Sequence, residues 1–346
     1  MTTAKALVVR SANYESPDVA LVELPIPEPA AGEALVRLTV SPINPSDMAS
    51  IRGVYPGWRP VSLPATPGLE GVGVVTKVGA GVTNVKVGER VVGAPFVSAT
   101  GDGTWREFGA FKAAALLPVP DEVDDFQAAQ FFVNPLTAVG FLWAAERDAG
   151  LKPGDWILSN AASSQLGHML VRLAKKRGYK TVNLVRNAKY VAGLKEAGAD
   201  AVVVTGEDVD VPDAVREVTD GKGAAVAFEP VGGSATGPVV AAVRNGGVVY
   251  CYGALESIET KISLADLMFR DVKMHGFWLT RFVGALTPAE LKETFQQTMR
   301  AIADGTLATQ PGKGYALDEF KEAFAEAERA GRGDKVFFVS KDAGKL

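Results

Sequence analysis

Two residues in this sequence carry types and settings suited to chemistry, and they lie far apart along it. Arg186 sits in the stretch NLVRNAKY, residues 183–190. That is about 20 residues past Gly167, where a dinucleotide fold places the carboxylate that grips a ribose diol. A guanidinium there does different work, because its planar fork donates two hydrogen bonds to the oxygens of a 2′-phosphate. The substitution points to NADPH, not NADH, as the cofactor. Lys189 and Tyr190, one turn on, add a charge and a hydroxyl donor. The second residue is Tyr55, in the turn GVYP. A phenol with a pKa near 10 stays protonated at neutral pH and can give a hydrogen bond or a proton to an oxygen on which charge develops. Taken alone, Tyr55 reads as a turn aromatic that covers apolar surface.

These side chains need a scaffold, and the sequence changes texture to provide one. Up to about residue 120, short β-type runs (ALVVR, ALVRLTV, EGVGVVTKV, GERVVGAPF) alternate with glycine and proline turns. From Asp155, apolar strands alternate with helical stretches: DWILSN, SQLGHMLVRLAKKRG, KTVNLVR, AKYVAGLKEAG, DAVVVT. Such alternation predicts a parallel sheet with crossover helices. With GAAVAFEP, GGVVYCYG and VKMHGFW it reaches six strands, a complete doubly wound nucleotide-binding sheet. Past Pro288 the pattern predicts two helices and a closing strand, KVFFVS, that returns to the β half. The run from Phe126 to Ala145 is apolar, but Gln127, Gln130 and Asn134-Pro135 interrupt it. We read it as two buried helices meeting at a proline, not as a membrane span.

The turn after the strand WILSN carries Ala162, Ser163, Ser164, Gln165, Leu166 and Gly167. Of the three fingerprint glycines only Gly167 is present, with Ala162 and Gln165 in the other two positions. An ordinary strand, loop and helix is the competing reading of this stretch; the missing acid at Arg186 tilts it toward a phosphate turn at a helix N-terminus.

Composition removes several classes. The 346 residues, 47% apolar and 22% charged, suit a globular protein of two domains. A net charge of −4, with 36 basic and 40 acidic residues interspersed, leaves no basic block for a nucleic acid. One cysteine, Cys251, cannot close an intrachain disulfide, and the first residues lack a signal-type apolar core, so the cytoplasm is the default compartment. Cys251, inside an apolar strand, reads as an inert buried thiol. His168, behind the phosphate turn, reads as a packing or surface residue.

With this architecture in view, the chain resembles the medium-chain dehydrogenase/reductase superfamily over essentially its whole length. Its zinc alcohol dehydrogenases present a cysteine, then a glycine-histidine-glutamate run, as metal ligands. Here NPSD and PGLEGVG align with those motifs, placing Asn44 and Leu69 at the cysteine and histidine positions. Neither side chain can serve as that ligand, and no structural cysteine lobe is present, so we expect no metal. The stretches SPINPSDMASIRGVYP, GLEGVGVVTKVGAGVTNVKVGERV, NPLTA, SNAASSQLGHMLVRLA, NLVRN and HGFWLT are similar to the 2-enoyl thioester reductase branch.

That resemblance implies an α/β fold: a Rossmann-type doubly wound parallel sheet over 125–299, and a GroES-like, mostly β catalytic domain from 1–124 and 300–346. It implies that Tyr55 is catalytic, that Asn44 and Thr137 lie near the nicotinamide, and that Trp278 borders the substrate cavity. The expected cofactor border also takes in Val231, Tyr252, Gly253 and Phe277. The activity it implies is NADPH-dependent reduction of enoyl-CoA or enoyl-acyl-carrier-protein. A quinone reductase and a non-catalytic NADPH-binding protein remain open. A homodimer paired along sheet edges, with VKMHGFW as the segment involved, is the expected assembly; no nucleic acid or membrane partner is expected.

Overall fold

The computed structural model describes residues 2–309, 312–329, 334–341 and 343. The chain divides into two compact units: one comprises Met1–Val133, Met299–Ala303 and Ala308–Leu346, the other Asn134–Thr298 and Asp304–Leu307.

The second unit is built on six strands: β1 (Trp156–Ser159), β2 (Lys180–Val185), β3 (Ala201–Val204), β4 (Ala224–Glu229), β5 (Val243–Cys251) and β6 (Lys273–Gly276). All pair in parallel, in the spatial order β3-β2-β1-β4-β5-β6. Every residue of β4, AAVAFE, is buried, as a central strand covered on both faces requires. One cluster packs Leu158, Val182, Ala227 and Val249 against Val211, Val215, Val239 and Val240, residues of the helices Val211–Val218 and Thr236–Ala242. The order reverses between β1 and β4, and in open α/β sheets a ligand crevice forms beyond the carboxyl ends of the strands at such a point.

The helix Gln165–Lys176 begins where Ser164 caps it, its hydroxyl accepting from the Gly167 amide at 3.1 Å, and ends with Lys175 and Lys176 in the last turn. The helix Val191–Ala197 stops at Gly198, whose φ of +104° is the left-handed conformation glycine adopts without strain.

In the first unit, Lys313–Tyr315, Val336–Val339, Glu33–Pro42, Val72–Val78, Arg90–Gly93 and Leu116–Pro118 follow one another across a seven-stranded sheet, and Phe108–Lys112 pairs on Glu33–Pro42. The closing strand lies antiparallel to Glu33–Pro42, with Phe338 opposite Ser41. The run from Phe126 to Ala145 is less regular than two full helices. Its first part, Asp125–Ala128, is a single turn capped by Asp124; the second is the helix Asn134–Asp148. Pro135 fits in the first turn of that helix, where a missing N–H costs nothing. No described helix is long and apolar enough to cross a membrane.

Candidate functional site

The turn after β1 is tight. Ala161 adopts φ +51°, and the Ala162 amide donates to the Leu184 carbonyl of β2 at 3.1 Å. Gly167 closes the helix onto this turn: a Cβ there would stand 2.1 Å from the Ala162 carbonyl oxygen. Only glycine fits, so the one surviving fingerprint glycine is the one that close packing requires. Ala162, Leu166 and Gly167 are buried, whereas Ser163, Ser164 and Gln165 reach solvent. The result is a capped helix N-terminus facing an open turn, the arrangement that receives phosphate.

Arg186 follows directly on β2. It is exposed and makes no ion pair among the described residues. The Asn187 side chain accepts from the Lys189 amide at 2.9 Å, and the Lys189 ammonium lies 4.9 Å from the centre of the Tyr190 ring. The short loop thus presents two cations and a phenol with no carboxylate among residues 186–190. The sequence-predicted phosphate residues and the turn therefore flank neighbouring strands of one sheet.

Glu229, at the end of β4, was not singled out by the sequence. It is buried, and it ties the two strands at the reversal point together. Its Oε2 accepts from Asn160 Nδ2 at 2.7 Å, while its Oε1 accepts from the Val231 and Gly232 amides at 2.6 and 3.0 Å. Asn160 in turn accepts from the Ala161 amide at 2.8 Å. Burial raises the Glu229 carboxyl above the ordinary range, and its three donors partly offset this. Burial and this carboxylate push the Tyr252 phenol upward, so it stays protonated.

Around Tyr252 the side chains are aromatic. Phe141 stacks on Phe228 at 4.2 Å and meets Tyr252 at 4.6 Å and Phe277 at 4.8 Å. A Cβ on Gly140 would come within 2.7 Å of Phe277. Thr137 lies one turn earlier on the same helix, and Trp278 caps the helix Leu279–Ala285. Tyr252 and Phe277 thus meet at one ring, that of Phe141. Gly253 is exposed at the loop that follows β5, against Pro230. Burial first, then Glu229, raise the Cys251 thiol, and burial with Arg172 lowers His168. Cys251 is half-buried, not fully buried as its apolar strand led us to expect, because the end of β5 opens onto the loop that follows, and His168 is half-buried on its helix.

In the other unit, Tyr55 is half-buried. Gly53 (φ +74°) makes its turn, and its ring covers Gly57, where a Cβ would come 2.4 Å from Cε1. The ring also packs on the core that holds Ile43, Met48, Ile51 and Trp58, so it does cover apolar surface, whatever else it does. Asn44 is 1% exposed. Its Nδ2 donates to Glu70 Oε1 at 2.9 Å, and its Oδ1 accepts from the Lys335 ammonium. Glu70 Oε2 accepts from the Phe132 and Val133 amides at 3.1 and 2.7 Å. Asp47 accepts from the Asn44 and Leu69 amides at 2.8 and 3.0 Å. Burial raises Glu70 to about 7 and Asp47 to about 6, against the pull of Lys335 and these donors. Nothing in the sequence signalled Lys335.

Comparison with known proteins fits this geometry. Residues 30–121 match the alcohol dehydrogenase GroES-like domain, and residues 166–304 the zinc-binding dehydrogenase domain. The mitochondrial enoyl-[acyl-carrier-protein] reductase of Rattus norvegicus is 32% identical over 323 residues, covering 92% of this chain and 84% of that protein. A Bacillus thuringiensis structure assigned as an NADPH:quinone reductase superimposes with a TM-score of 0.88 at 29% identity, covering 98% and 100% of the two chains. The Escherichia coli quinone oxidoreductase complexed with NADPH gives 0.83 at 25% identity, covering 97% and 100%. The zinc in the domain description does not fit here. Asn44 and Leu69, which the sequence resemblance aligns with ligand positions, are not zinc ligands, the Lys335 ammonium bonds the Asn44 oxygen, and the described residues contain no group of three or more His, Cys, Asp or Glu able to hold a metal.

Proposed function

This chain belongs to the medium-chain dehydrogenase/reductase superfamily, and from that premise we propose that it is an NADPH-dependent reductase of carbon–carbon double bonds conjugated to a thioester carbonyl. When bound, the dihydronicotinamide supplies a hydride, which goes to the β-carbon. The chain's own residues do the rest. Arg186, Lys189 and Tyr190 hold the 2′-phosphate, and the turn Ala162–Gly167 with its helix N-terminus receives the pyrophosphate. Val231, Tyr252, Gly253 and Phe277 border the cofactor, and Thr137 and Asn44 orient the nicotinamide. Tyr55 donates to the thioester oxygen as negative charge builds on it, a proton from solvent taken up at the α-carbon completes the reduction, and Trp278 bounds the acyl cavity. The same reading makes the assembly a homodimer joined along the edge strand β6, which among the described residues has a partner strand on one side only.

The observation that carries the cofactor assignment is Arg186, exposed, without an ion pair among the described residues, and one strand away from a turn that only glycine at position 167 can close. The thioester assignment rests on the 32% identity to an enoyl-[acyl-carrier-protein] reductase over 92% of the chain. The solved quinone reductases favour a second reading, in which the acceptor is a quinone. NADPH oxidation measured with crotonyl-CoA, longer enoyl-CoAs, simple enones and quinones separates the two. Turnover of quinones with none of enoyl-CoA would reject the thioester.

A further inference from the structure

Asn44, Asp47, Glu70 and Lys335 are each at most 5% exposed. They come from four places in one unit: the cap and first turn of the helix Pro45–Ile51, the residue two before the strand Val72–Val78, and the residue just before the closing strand Val336–Val339. Two carboxylates removed from water are costly unless a cation and hydrogen bonds compensate them. Lys335 is the one lysine or arginine that is buried among the described residues. Its ammonium acts on both acids and donates to Asn44.

The chain of bonds also fixes a direction. With the ammonium on Oδ1 and the Glu70 carboxylate on Nδ2, the Asn44 amide can face only one way. Reversal would set NH₂ against an ammonium and an oxygen against a carboxylate. The second Nδ2 hydrogen is therefore aimed, and it has no partner among the described residues.

We infer that Lys335 is a positioning residue: its ammonium balances the Glu70 and Asp47 carboxylates and sets the orientation of the Asn44 amide, doing by a fixed side-chain charge the electrostatic work that a divalent cation would do at these positions. The inference rests on the assignment of Asn44 to the cofactor side in so far as activity is concerned. Its charge-balance part stands without that assignment.

The test compares Lys335→Met, Lys335→Arg, Glu70→Gln and the double variant Lys335→Met/Glu70→Gln in the full chain. Melting temperature at several pH values, the dissociation constant for NADPH, and kcat and KM with crotonyl-CoA are measured. Coupled charges give non-additive effects. Lys335→Met should melt below the wild type by a margin that widens from pH 6 to pH 8. Without the ammonium, Glu70 and Asp47 keep their protons to a higher pH in the folded state than in the unfolded chain, and stability is lost as pH rises. A packing defect would give a pH-independent margin.

The double variant should melt above Lys335→Met and recover most of the lost NADPH affinity, while Lys335→Arg stays near wild type in both. In kcat, Lys335→Met should lose about tenfold or more, with the double variant intermediate, as coupling between neighbours predicts. A margin constant with pH, or additive losses in the double variant, would overturn the inference. If the wild type fails to turn over crotonyl-CoA, the proposed substrate falls, and the melting and NADPH-binding series still decide the role of Lys335.

Discussion

Arg186 and Tyr55 invite opposite experiments, because one should act on binding and the other on turnover. Arg186 is exposed and makes no ion pair among the described residues, so its removal should not disturb the fold. Arg186→Ala should raise KM for NADPH by about 10- to 100-fold, the worth of hydrogen bonds to a charged group, and leave KM for NADH nearly unchanged. Equal effects on both cofactors would count against a phosphate contact. Tyr55→Phe should keep NADPH affinity and cut kcat for crotonyl-CoA at least about tenfold, toward the 10² to 10³ typical of a lost oxyanion donor. Unchanged turnover would return Tyr55 to the role of a cover over Ile43 and Trp58, which its packing also allows. Arg186 was legible because its meaning depends on a spacing within 20 residues or so. Lys335 was not: its partner Asn44 lies 291 positions away, and a lysine after a glycine-rich stretch reads as a solvated charge.

At the scale of elements, the loop beyond β4 depends on a single carboxylate. Glu229→Ala would strand the Asn160 side chain and the Val231 and Gly232 amides, costing about 2 to 4 kcal/mol. We expect a lower melting temperature and a weaker NADPH dissociation constant together, with amide exchange at 230–233 rising first. Glu229→Gln, which keeps an acceptor oxygen, should lose less. The six parallel strands were legible because apolar runs of four to six residues, separated by helical stretches, have one economical arrangement. The strand Asp18–Pro25 was not, since among the described residues it pairs only with Thr3–Ser11, and it buries none of its own. The helix Val211–Val218 was missed as well; it has only two buried positions, Val211 and Val215, to mark its apolar face. Glu229 escaped notice because an acid ending an apolar strand carries no local sign of the amides it will meet.

At the scale of the molecule, the buried acids and the sheet edge each make a measurable demand. Glu70 and Asp47 are raised to about 7 and about 6 from ordinary values of 4.5 and 3.8. Each binds its proton more tightly folded than unfolded. Their contribution to stability is therefore full below the ordinary values and is lost as pH rises through the raised ones. Calorimetry should show the melting temperature falling from pH 5 to pH 8, and Glu70→Gln should flatten that fall. On the proposed dimer, Leu264, Met268 and Phe269 stand exposed shortly before the edge strand β6, Phe269 by 80%. Light scattering should report two chains per particle, and Phe269→Glu should shift the population toward one; a wild-type particle of one chain would end that proposal.

The closing strand has a further consequence for how the polypeptide is made. Unit two is nearly continuous in sequence, whereas the sheet beside Asn44 and Glu70 takes in Val336–Val339, next to a lysine that lies 291 positions beyond Asn44. During translation the early β segments must wait, with their acids uncompensated, while the later Rossmann-type block can already compact on the ribosome. Stalled nascent chains ending near residue 310 should yield a protease-resistant core from that block alone.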